Sequence, residues 1–326
     1  MGLRAGLIGC GGLGKVHTEA LQQLDGMKMV AFGDIIEERA EEFATKYSGE
    51  YGTTDTQRII EDPSIDAIYI CTQHDSHADL CIRSLDAGKH VMVEKPLALT
   101  VEECLAVGEA VKRNEAILMT AFKMRYYEMI QKAKELIPEP LIVVMQMMDN
   151  RWPDEIWPND PIKGGGNVLS QGCHSCDILR YMAGSNPIGV YAGGGNYYQK
   201  SGVVDNLAAV FRFENSMVGS WIQGDSNSPP LTSKFFLEAF AEGKSLTLLD
   251  RLCTLTYSEN GREPQVFRGI ETGFLEENRA FIEAIKTQTS PPIDHIDGLY
   301  ATLMVLQAFK SLKSGRPEPI ASLVEA

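Results

Sequence analysis

The chain has 326 residues, of which 44% are hydrophobic and 23% charged, as in a globular protein, and this length predicts two domains. Its 30 basic and 44 acidic residues give a formal net charge of -14, which argues against nucleic acid or an anionic membrane as a partner and favours a small molecule. No apolar run approaches the ~20 residues of a membrane span, and the N-terminus lacks a signal-peptide pattern. Seven irregularly spaced cysteines predict no disulfide framework, so we expect a cytoplasmic protein.

Three glycines in a GxGxxG pattern, Gly9, Gly11 and Gly14, follow a short apolar run near the N-terminus. The pattern predicts a strand that turns sharply into a helix and binds a dinucleotide. The first glycine permits the turn, the second lets the backbone approach a pyrophosphate, and the third packs the helix on its strand. The helix N-terminus, with Gly12 and Leu13, offers N–H groups to the phosphates. Because any glycine-rich turn can match, the neighbouring elements decide its meaning.

Strand and helix patterns alternate over the first 122 residues. Helices are predicted over 15–24, 37–47, 76–87 and 101–113, and strands over 27–32, 65–71, 90–93 and 117–121. This alternation implies an α/β fold with a parallel sheet covered on both faces. Ligands of such sheets bind beyond the carboxyl ends of the strands.

Asp34 lies 20 residues beyond Gly14, just after the predicted strand over 27–32. A carboxylate at that distance hydrogen-bonds the adenosine ribose hydroxyls of a dinucleotide. It would repel the extra phosphate of NADP, and Ile35, which we include in the cofactor site, supplies no cation, so NAD is expected and NADP disfavoured. The alternative is that Asp34 only caps the helix over 37–47, but the glycine turn at the matching distance favours the cofactor role.

Polar residues follow the predicted strands at the edge of the sheet where their carboxyl ends meet. Side chains at this edge are candidates for contacts with the cofactor. The candidates are Thr72, Gln73, His74, His77, Glu94 and Lys95.

After residue 122 the sequence is dominated by strand patterns. A helix over 127–137 is stopped by Pro138, and strands are predicted over 141–148, 189–198, 206–213, 217–223, 234–241, 245–249 and 254–257. They predict a meandering antiparallel sheet with one face available for a partner. Two helices, over 276–286 and 294–313, are predicted to follow.

The segments 65–72 and 87–98, the second containing Glu94-Lys95-Pro96, resemble the glucose-fructose oxidoreductase, inositol dehydrogenase and rhizopine catabolism family, called Gfo/Idh/MocA. The resemblance implies a Rossmann domain with a parallel sheet over 1–122 and a C-terminal α+β domain with an open, mainly antiparallel sheet over 123–326. The second domain would bind substrate and form oligomers, with its last helices either within it or packed back on the Rossmann domain. The resemblance further implies NAD at the domain junction and a homodimer or homotetramer formed through the C-terminal sheet.

Lys95 matches the catalytic lysine of the family, in which the bond before the following proline is often cis. A lysine, with a pKa of about 10.4 in water, acts as a general acid or base only when burial or a neighbouring cation lowers that pKa. The alternative is a solvated loop lysine, but the position between Glu94 and Pro96 at a strand end favours catalysis.

Met124 and Arg125 match family positions that face the nicotinamide and the substrate. Arg125 is equally well explained as a structural tie between the domains, and both interpretations stay open at this point.

The segment 164–177 resembles the family motif GGGxxxDxGxHxxD, in which His174 aligns with the histidine that assists the lysine. Ser170 stands where many members have aspartate, and serine cannot act as a carboxylate base. Asp177 shares the helix face of His174 and either orients its imidazole or forms a salt bridge within the helix. Cys173 and its neighbour Cys176 mimic a metal pair, but no second pair has zinc-like spacing, so no metal is expected.

Two of the three tryptophans lie with polar residues in the stretch 150–160. Trp152 and Asp154 are therefore candidates for a carbohydrate or cyclitol subsite, because aromatic faces stack on C–H surfaces and carboxylates bind hydroxyls. The alternative is a proline-rich loop at an oligomer interface.

Together these features predict an NAD(P)-dependent sugar or polyol dehydrogenase acting on CH–OH groups, with Lys95 as general acid/base assisted by His174, and with Arg125 and Ser170 among the substrate contacts. One alternative is an NAD-dependent glycoside hydrolase or lyase that uses transient oxidation. Another is a non-catalytic NAD-binding regulator, which would need neither Lys95 nor His174.

Overall fold

The computed structural model describes residues 2–228, 234–271 and 273–323. The chain forms two compact units. The first comprises Met1–Lys123 and Phe274–Leu299, and the second Met124–Gly273 and Tyr300–Ala326.

The first unit is a parallel sheet covered by helices. Its strands are β1 (Leu3–Ile8), β2 (Met27–Gly33), β3 (Tyr51–Thr53), β4 (Ala67–Ile70), β5 (His90–Glu94) and β6 (Leu118–Ala121). Its helices before β6 are α1 (Gly12–Leu21), α2 (Glu37–Lys46), α3 (Thr56–Glu61), α4 (His77–Asp86) and α5 (Val101–Asn114). The strand order is β3-β2-β1-β4-β5-β6, with all neighbours parallel, which is the order of dinucleotide-binding α/β domains.

Burial explains why the strands of this unit read as continuous apolar runs. All four residues of β4 are buried, because helices cover both faces of a parallel sheet. Helix α5 opens with a capping box, in which the Thr100 hydroxyl accepts from the Glu103 N–H at 3.2 Å and the Glu103 carboxylate accepts from the Thr100 N–H at 3.0 Å.

The predicted elements of this unit differ from the structure mainly at their ends. Helix α1 begins at Gly12, three residues before the predicted start, because Gly11 already serves as its N-cap. The predicted helix over 76–87 begins with a 3₁₀ turn, His74–Ser76. Strand β3 and helix α3 are short and were not predicted. In α3 the helix starts because the Asp55 carboxylate accepts from the N–H of Gln57 at 3.0 Å.

A segment from the C-terminal part of the chain completes the first unit. Helix α8 (Phe274–Thr287) packs on α1, and the first turn of α9 (His295–Ser314) belongs to the same unit. The side chain of Asn278 on α8 reaches His17 on α1, with 3.0 Å between Nδ2 and Nδ1.

The second unit is built on a nine-stranded sheet with helices α6 (Glu128–Leu136) and α7 (Asn167–Ala183). Its strands are β7 (Ile142–Asn150), β8 (Pro187–Gly195), β9 (Asn206–Phe213), β10 (Val218–Asn227), β11 (Phe235–Ala241), β12 (Lys244–Leu249), β13 (Thr254–Glu259), β14 (Gln265–Arg268) and β15 (Glu318–Pro319). The order is β14-β13-β12-β11-β7-β10-β9-β8-β15.

The predicted meander is wrong at β7. This strand lies between β10 and β11, antiparallel to β11 but parallel to β10. A parallel pair needs a long connection, and here the connection contains α7, β8 and β9. The sheet is therefore mainly antiparallel, and the predicted fold class is confirmed.

One face of this sheet packs under α7 and the other exposes apolar side chains. Gly172 of α7 lies so close to the sheet that an added Cβ would approach Trp221 to 2.5 Å. On the opposite face, five large side chains are between 38% and 52% exposed, namely Ile142, Tyr191, Val210, Phe240 and Leu249.

Of the helices in the described part of the chain, none has both the length and the apolar character needed to cross a membrane.

Candidate active site

The three motif glycines have distinct surroundings in the turn between β1 and α1. At Gly9, with φ of +103°, an added Cβ would lie 2.4 Å from the Cys71 carbonyl oxygen, and at Gly14 it would lie 2.1 Å from the Gly9 carbonyl oxygen. A Cβ added at Gly11 or at Gly12 would meet no atom within 4 Å. The first and third glycines therefore allow close packing, and the second leaves backbone open to a ligand.

The N-terminus of α1 is suited to phosphate. No side chain caps it, its first turn has no acidic residue, and Gly11, Gly12 and Leu13 are exposed. Free backbone N–H groups and the positive end of the helix dipole favour an anion at this position. These residues fit the pyrophosphate of a dinucleotide.

Asp34 is tied to the glycine turn and does not cap α2. Its Oδ2 accepts a hydrogen bond from the N–H of Cys10 at 2.9 Å, and its Oδ1 accepts from the N–H of Ile36 at 3.0 Å. The N-cap of α2 is Ile36, which has no side-chain capping bond. Asp34 is 9% exposed, whereas Ile35 is 88% exposed and leaves no cation beside the carboxylate.

The segment after β4 is held against the loop after β5 by His77. Its Nδ1 lies 2.8 Å from the carbonyl oxygen of Pro96, and its Nε2 lies 3.3 Å from the carbonyl oxygen of Thr72. Burial lowers the pKa of His77, although both contacts favour the charged form. The neutral ring donates from one nitrogen, and the shorter contact assigns that proton to Nδ1.

The other three candidates after β4 support the same loop. The Thr72 hydroxyl lies 2.7 Å from the Ser76 hydroxyl, and the buried His74 ring lies 5.6 Å from the ring of His77. Gln73 accepts through its carbonyl oxygen from the Ser76 hydroxyl at 2.8 Å.

Lys95 follows the last residue of β5 and precedes a cis peptide bond to Pro96. The residue is 8% exposed, so the alternative of a solvated loop lysine does not describe it. Its backbone N–H donates to Oε2 of Glu94 at 3.2 Å. Burial favours the neutral acid of Glu94, but a hydrogen bond from His17 and the charge of Lys95 outweigh it, and the pKa of Glu94 lies below its ordinary value.

In the second unit, α7 carries three of the predicted site residues on one face. Ser170, His174 and Asp177 are 3%, 5% and 2% exposed. Asp177 pairs with Arg125, whose Nε lies 2.9 Å and 3.1 Å from the two carboxylate oxygens. The salt bridge thus leaves the helix, and Arg125 joins the 3₁₀ turn Lys123–Tyr126 to α7 within the second unit.

The neighbouring Met124 is 1% exposed and forms part of the core. Cys173 and Cys176 are fully buried in the same helix. Among the residues that the structure describes, no three or more His, Cys, Asp or Glu side chains are arranged to hold a metal ion.

The tryptophan loop after β7 is anchored by a residue that the sequence analysis did not single out. The buried Asp225 accepts from the N–H of Trp152 at 2.8 Å and from Nε2 of Gln199 at 2.9 Å. Asp154 pairs with Lys200 at 3.0 Å and with Arg151 at 3.3 Å. Trp152 is therefore held by its backbone.

The glycine turn, the anchored Asp34 and the strand order define the first unit as a dinucleotide-binding domain. Residues 3–122 match the family model described as an oxidoreductase family with an NAD-binding Rossmann fold. Residues 130–232 match the C-terminal domain model of the same family. The chain therefore belongs to the Gfo/Idh/MocA family and carries an NAD-binding Rossmann domain.

Several characterised proteins resemble this chain over nearly its whole length. It is 28% identical to myo-inositol 2-dehydrogenase of Thermotoga maritima, covering 99% of this chain and 100% of that protein. It is also 28% identical to scyllo-inositol 2-dehydrogenase (NAD(+)) of Bacillus subtilis, covering 97% and 95% of the two chains. Levoglucosan dehydrogenase, solved in complex with NADH and levoglucosan, shares the fold with a TM-score of 0.89 and 23% identity, covering 99% and 100%.

Proposed function

We propose that this protein is an NAD-dependent dehydrogenase that oxidises a CH–OH group of a sugar, a sugar derivative or a cyclitol. The observation that carries the proposal is the buried Lys95 at the cis-proline turn, at the end of β5, in the same parallel sheet as β1, which leads into the glycine turn. Two relatives named as inositol 2-dehydrogenases support the substrate class. The proposal places the enzyme in the cytoplasm.

In the proposed reaction, NAD held by the glycine turn and Asp34 would supply the hydride acceptor for the carbinol carbon. Lys95, as the neutral amine, takes the proton of the hydroxyl group, so the O–H bond breaks and an N–H bond forms while the carbon becomes a carbonyl. His174 assists this proton exchange. The products are a ketone or lactone, NADH and one proton.

The remaining predicted residues bind and orient the two ligands. Gly11, Gly12 and Leu13 offer backbone N–H groups to the pyrophosphate, and Asp34 accepts from the ribose hydroxyls. Further cofactor contacts are assigned to Gly9, Gly14, Ile35, Thr72, Gln73, His74, His77, Glu94, Met124 and Arg125. Substrate contacts are assigned to Lys95, Arg125, Trp152, Asp154, Ser170 and His174.

Ser170 supports a second candidate function. A carboxylate at this helix position would share a face with His174, and serine supplies a hydrogen bond but no base. This change suits an enzyme in which oxidation is transient and is followed by hydrolysis or elimination, with NAD regenerated in each turnover. Such an enzyme would consume substrate without accumulating NADH.

A substrate screen tests the proposed function and separates the two candidates. Purified protein is incubated with a panel of sugars, anhydrosugars and inositols, with NAD and with NADP, while absorbance of the reduced cofactor and loss of substrate are followed together. A dehydrogenase forms one NADH for each substrate molecule lost. Substrate loss without NADH favours transient oxidation, and loss of neither substrate nor NAD across the panel would contradict both.

We further propose that the exposed face of the nine-stranded sheet joins copies of this chain into a homodimer or homotetramer. Ile142 pairs with Phe240 across β7 and β11, and Tyr191 pairs with Val210 across β8 and β9, so each pair forms an exposed apolar patch. Soluble monomers rarely expose apolar patches of this kind without a partner. Val210→Glu would place a charge in the interface and should yield monomers in light scattering after size exclusion, whereas Arg268→Glu on the peripheral strand β14 should not change the mass.

A further inference from the structure

A buried polar cluster lies behind the strand end that carries Lys95. It consists of His17 on α1, Glu94 on β5, and Glu277 and Asn278 on α8, and we call it the His17 cluster. Three of its residues are 0% exposed and Glu94 is 4% exposed. Burying two carboxylates together is costly unless a specific arrangement compensates for it.

The contacts of Asn278 determine which ring nitrogen of His17 accepts a hydrogen bond and which one donates. The amide nitrogen of Asn278 donates to the Phe274 carbonyl oxygen at 2.7 Å, and the same nitrogen lies 3.0 Å from Nδ1 of His17. An amide nitrogen only donates, so Nδ1 accepts and the proton of the neutral ring is on Nε2. His17 therefore donates from Nε2 to Oε1 of Glu94, at 3.2 Å.

The pKa values of the two carboxyl groups near His17, Glu94 and Glu277, are shifted in opposite directions. Glu277 approaches Nε2 only to 4.0 Å, and neither of its oxygens has a hydrogen-bond partner. Burial and the charge of Glu94 raise the pKa of Glu277 well above its ordinary value, so it is neutral. The His17 cluster thus holds one negative charge, and that charge resides on Glu94.

Glu94 contacts the next residue as well as His17. Its Oε2 accepts from the backbone N–H of Lys95 at 3.2 Å, at the turn closed by the cis peptide bond. We propose that Glu94, oriented by His17, is a positioning residue for Lys95. Its carboxylate fixes the Lys95 backbone and keeps a negative charge beside the side chain that exchanges the substrate proton. This inference rests on the role of Lys95 in the proposed function.

The chemical consequence concerns the charged form of Lys95. When Lys95 has taken the hydroxyl proton it is an ammonium ion, and an adjacent carboxylate stabilises that ion. Glu94 transfers no proton in this step. Removal of its charge makes the ammonium less stable and moves Lys95 protonation to lower pH.

Other ionisable groups near Glu94 come from several elements. The groups that interact electrostatically with Glu94 are His17, Cys71, His77, Lys95 and Glu277. Burial raises the pKa of Cys71 and lowers the pKa of His77, so both favour their neutral forms. Glu94 is therefore the negatively charged group of this set that interacts electrostatically with Lys95.

Competitive labelling tests the inference without using catalysis. The full-length, ligand-free protein is labelled with isotope-coded acetic anhydride from pH 6 to 11, and the pH midpoint of Lys95 labelling is read by mass spectrometry. Glu94→Gln removes the charge and should move the midpoint down by about one pH unit. Glu277→Gln, the matched control, changes the cluster carboxyl that forms no hydrogen bond and should keep the wild-type midpoint.

Two outcomes overturn the inference: an unshifted midpoint in a folded Glu94→Gln protein, or an equal shift in Glu277→Gln. If Glu94→Gln does not fold, Glu94→Asp is used, because it keeps the charge but withdraws it by one methylene. It should lower kcat about 10-fold with little change in KM, and wild-type kcat would contradict a positioning role. Because labelling requires no substrate, a failed sugar screen would overturn the proposed function while leaving this test valid.

Discussion

The carboxylate of Asp34 accepts a hydrogen bond from the backbone N–H of Cys10, with 2.9 Å between the two atoms. Asp34 directly follows β2, and Cys10 lies between the first two motif glycines. The hydrogen bond therefore joins the end of β2 to the glycine turn. One side chain stabilises the glycine turn and, in the proposed function, places negative charge where the adenosine ribose binds. Its two roles can be separated by substitution.

Asp34→Asn should reduce the preference for NAD over NADP by about 10-fold or more, because it removes the charge that repels the extra phosphate. Asparagine keeps one oxygen that accepts from Cys10 and loses only the bond from the Ile36 N–H, so the turn should persist. Dissociation constants for both cofactors, measured by calorimetry, check this. Asp34→Ala, which also loses the contact with Cys10, should bind both cofactors more weakly, and an unchanged preference in Asp34→Asn would show that the carboxylate does not select the cofactor.

The motif glycines should separate stability from cofactor binding. Gly14→Ala should lower the free energy of unfolding by about 1–3 kcal/mol, because its Cβ would lie 2.1 Å from the Gly9 carbonyl oxygen. Gly11→Ala meets nothing within 4 Å, so it should fold as stably as the wild type but bind NAD more weakly. Urea denaturation and NAD titration of both variants provide the comparison. Tight NAD binding by Gly11→Ala would place the pyrophosphate elsewhere.

The buried pair of Arg125 and Asp177 should contribute strongly to the stability of the second unit. The side chains are 11% and 1% exposed, and loss of one partner leaves a buried charge without compensation. Arg125→Met should therefore lower the free energy of unfolding by about 3–5 kcal/mol. The double variant Arg125→Met/Asp177→Leu should recover much of this loss in urea denaturation. If the single variant is as stable as the wild type, the pair does not hold the 3₁₀ turn against α7.

Glu277 should make the protein less stable as pH rises. Burial, followed by the charge of Glu94, raises its pKa above the unfolded value, so the folded protein keeps a proton that the unfolded chain releases above about pH 4.3. The free energy of unfolding then falls by about 1.4 kcal/mol per pH unit until the folded pKa is reached. Glu277→Gln removes this slope, and its gain over the wild type should grow from pH 5 to pH 7 in urea denaturation. A constant difference between the two proteins would contradict the neutral state of Glu277.

Local patterns in the sequence were sufficient to predict most elements of the fold. The glycine turn, the strand ends and the helix of His174 each depend on residues that are close together in the chain, and the structure contains them. The short β3 and α3 have too few apolar residues to give a periodic signal. The parallel position of β7 beside β10 depends on a pairing across several intervening elements, which periodicity does not report.

The His17 cluster could not be predicted for the same reason. His17 lies 77 residues from Glu94 and 261 residues from Asn278, and only folding brings the three together. Its one signal in the sequence is that His17 lies three residues after Gly14, on α1. Asp225 likewise becomes recognisable only when β10 places it below the tryptophan loop. The assignment of the second unit to substrate binding and oligomerisation stays a prediction, as do the cofactor and substrate contacts named above.

The most direct test of the account is the effect of Lys95→Met on a substrate found in the screen. The change removes the amine but retains an apolar side chain of similar length, so NAD affinity by calorimetry should stay within a few-fold of the wild type. The turnover number should fall by about 10²- to 10⁴-fold, the usual contribution of a general acid or base. Wild-type turnover by Lys95→Met, with NAD bound normally, would remove Lys95 from the reaction and contradict the central claim.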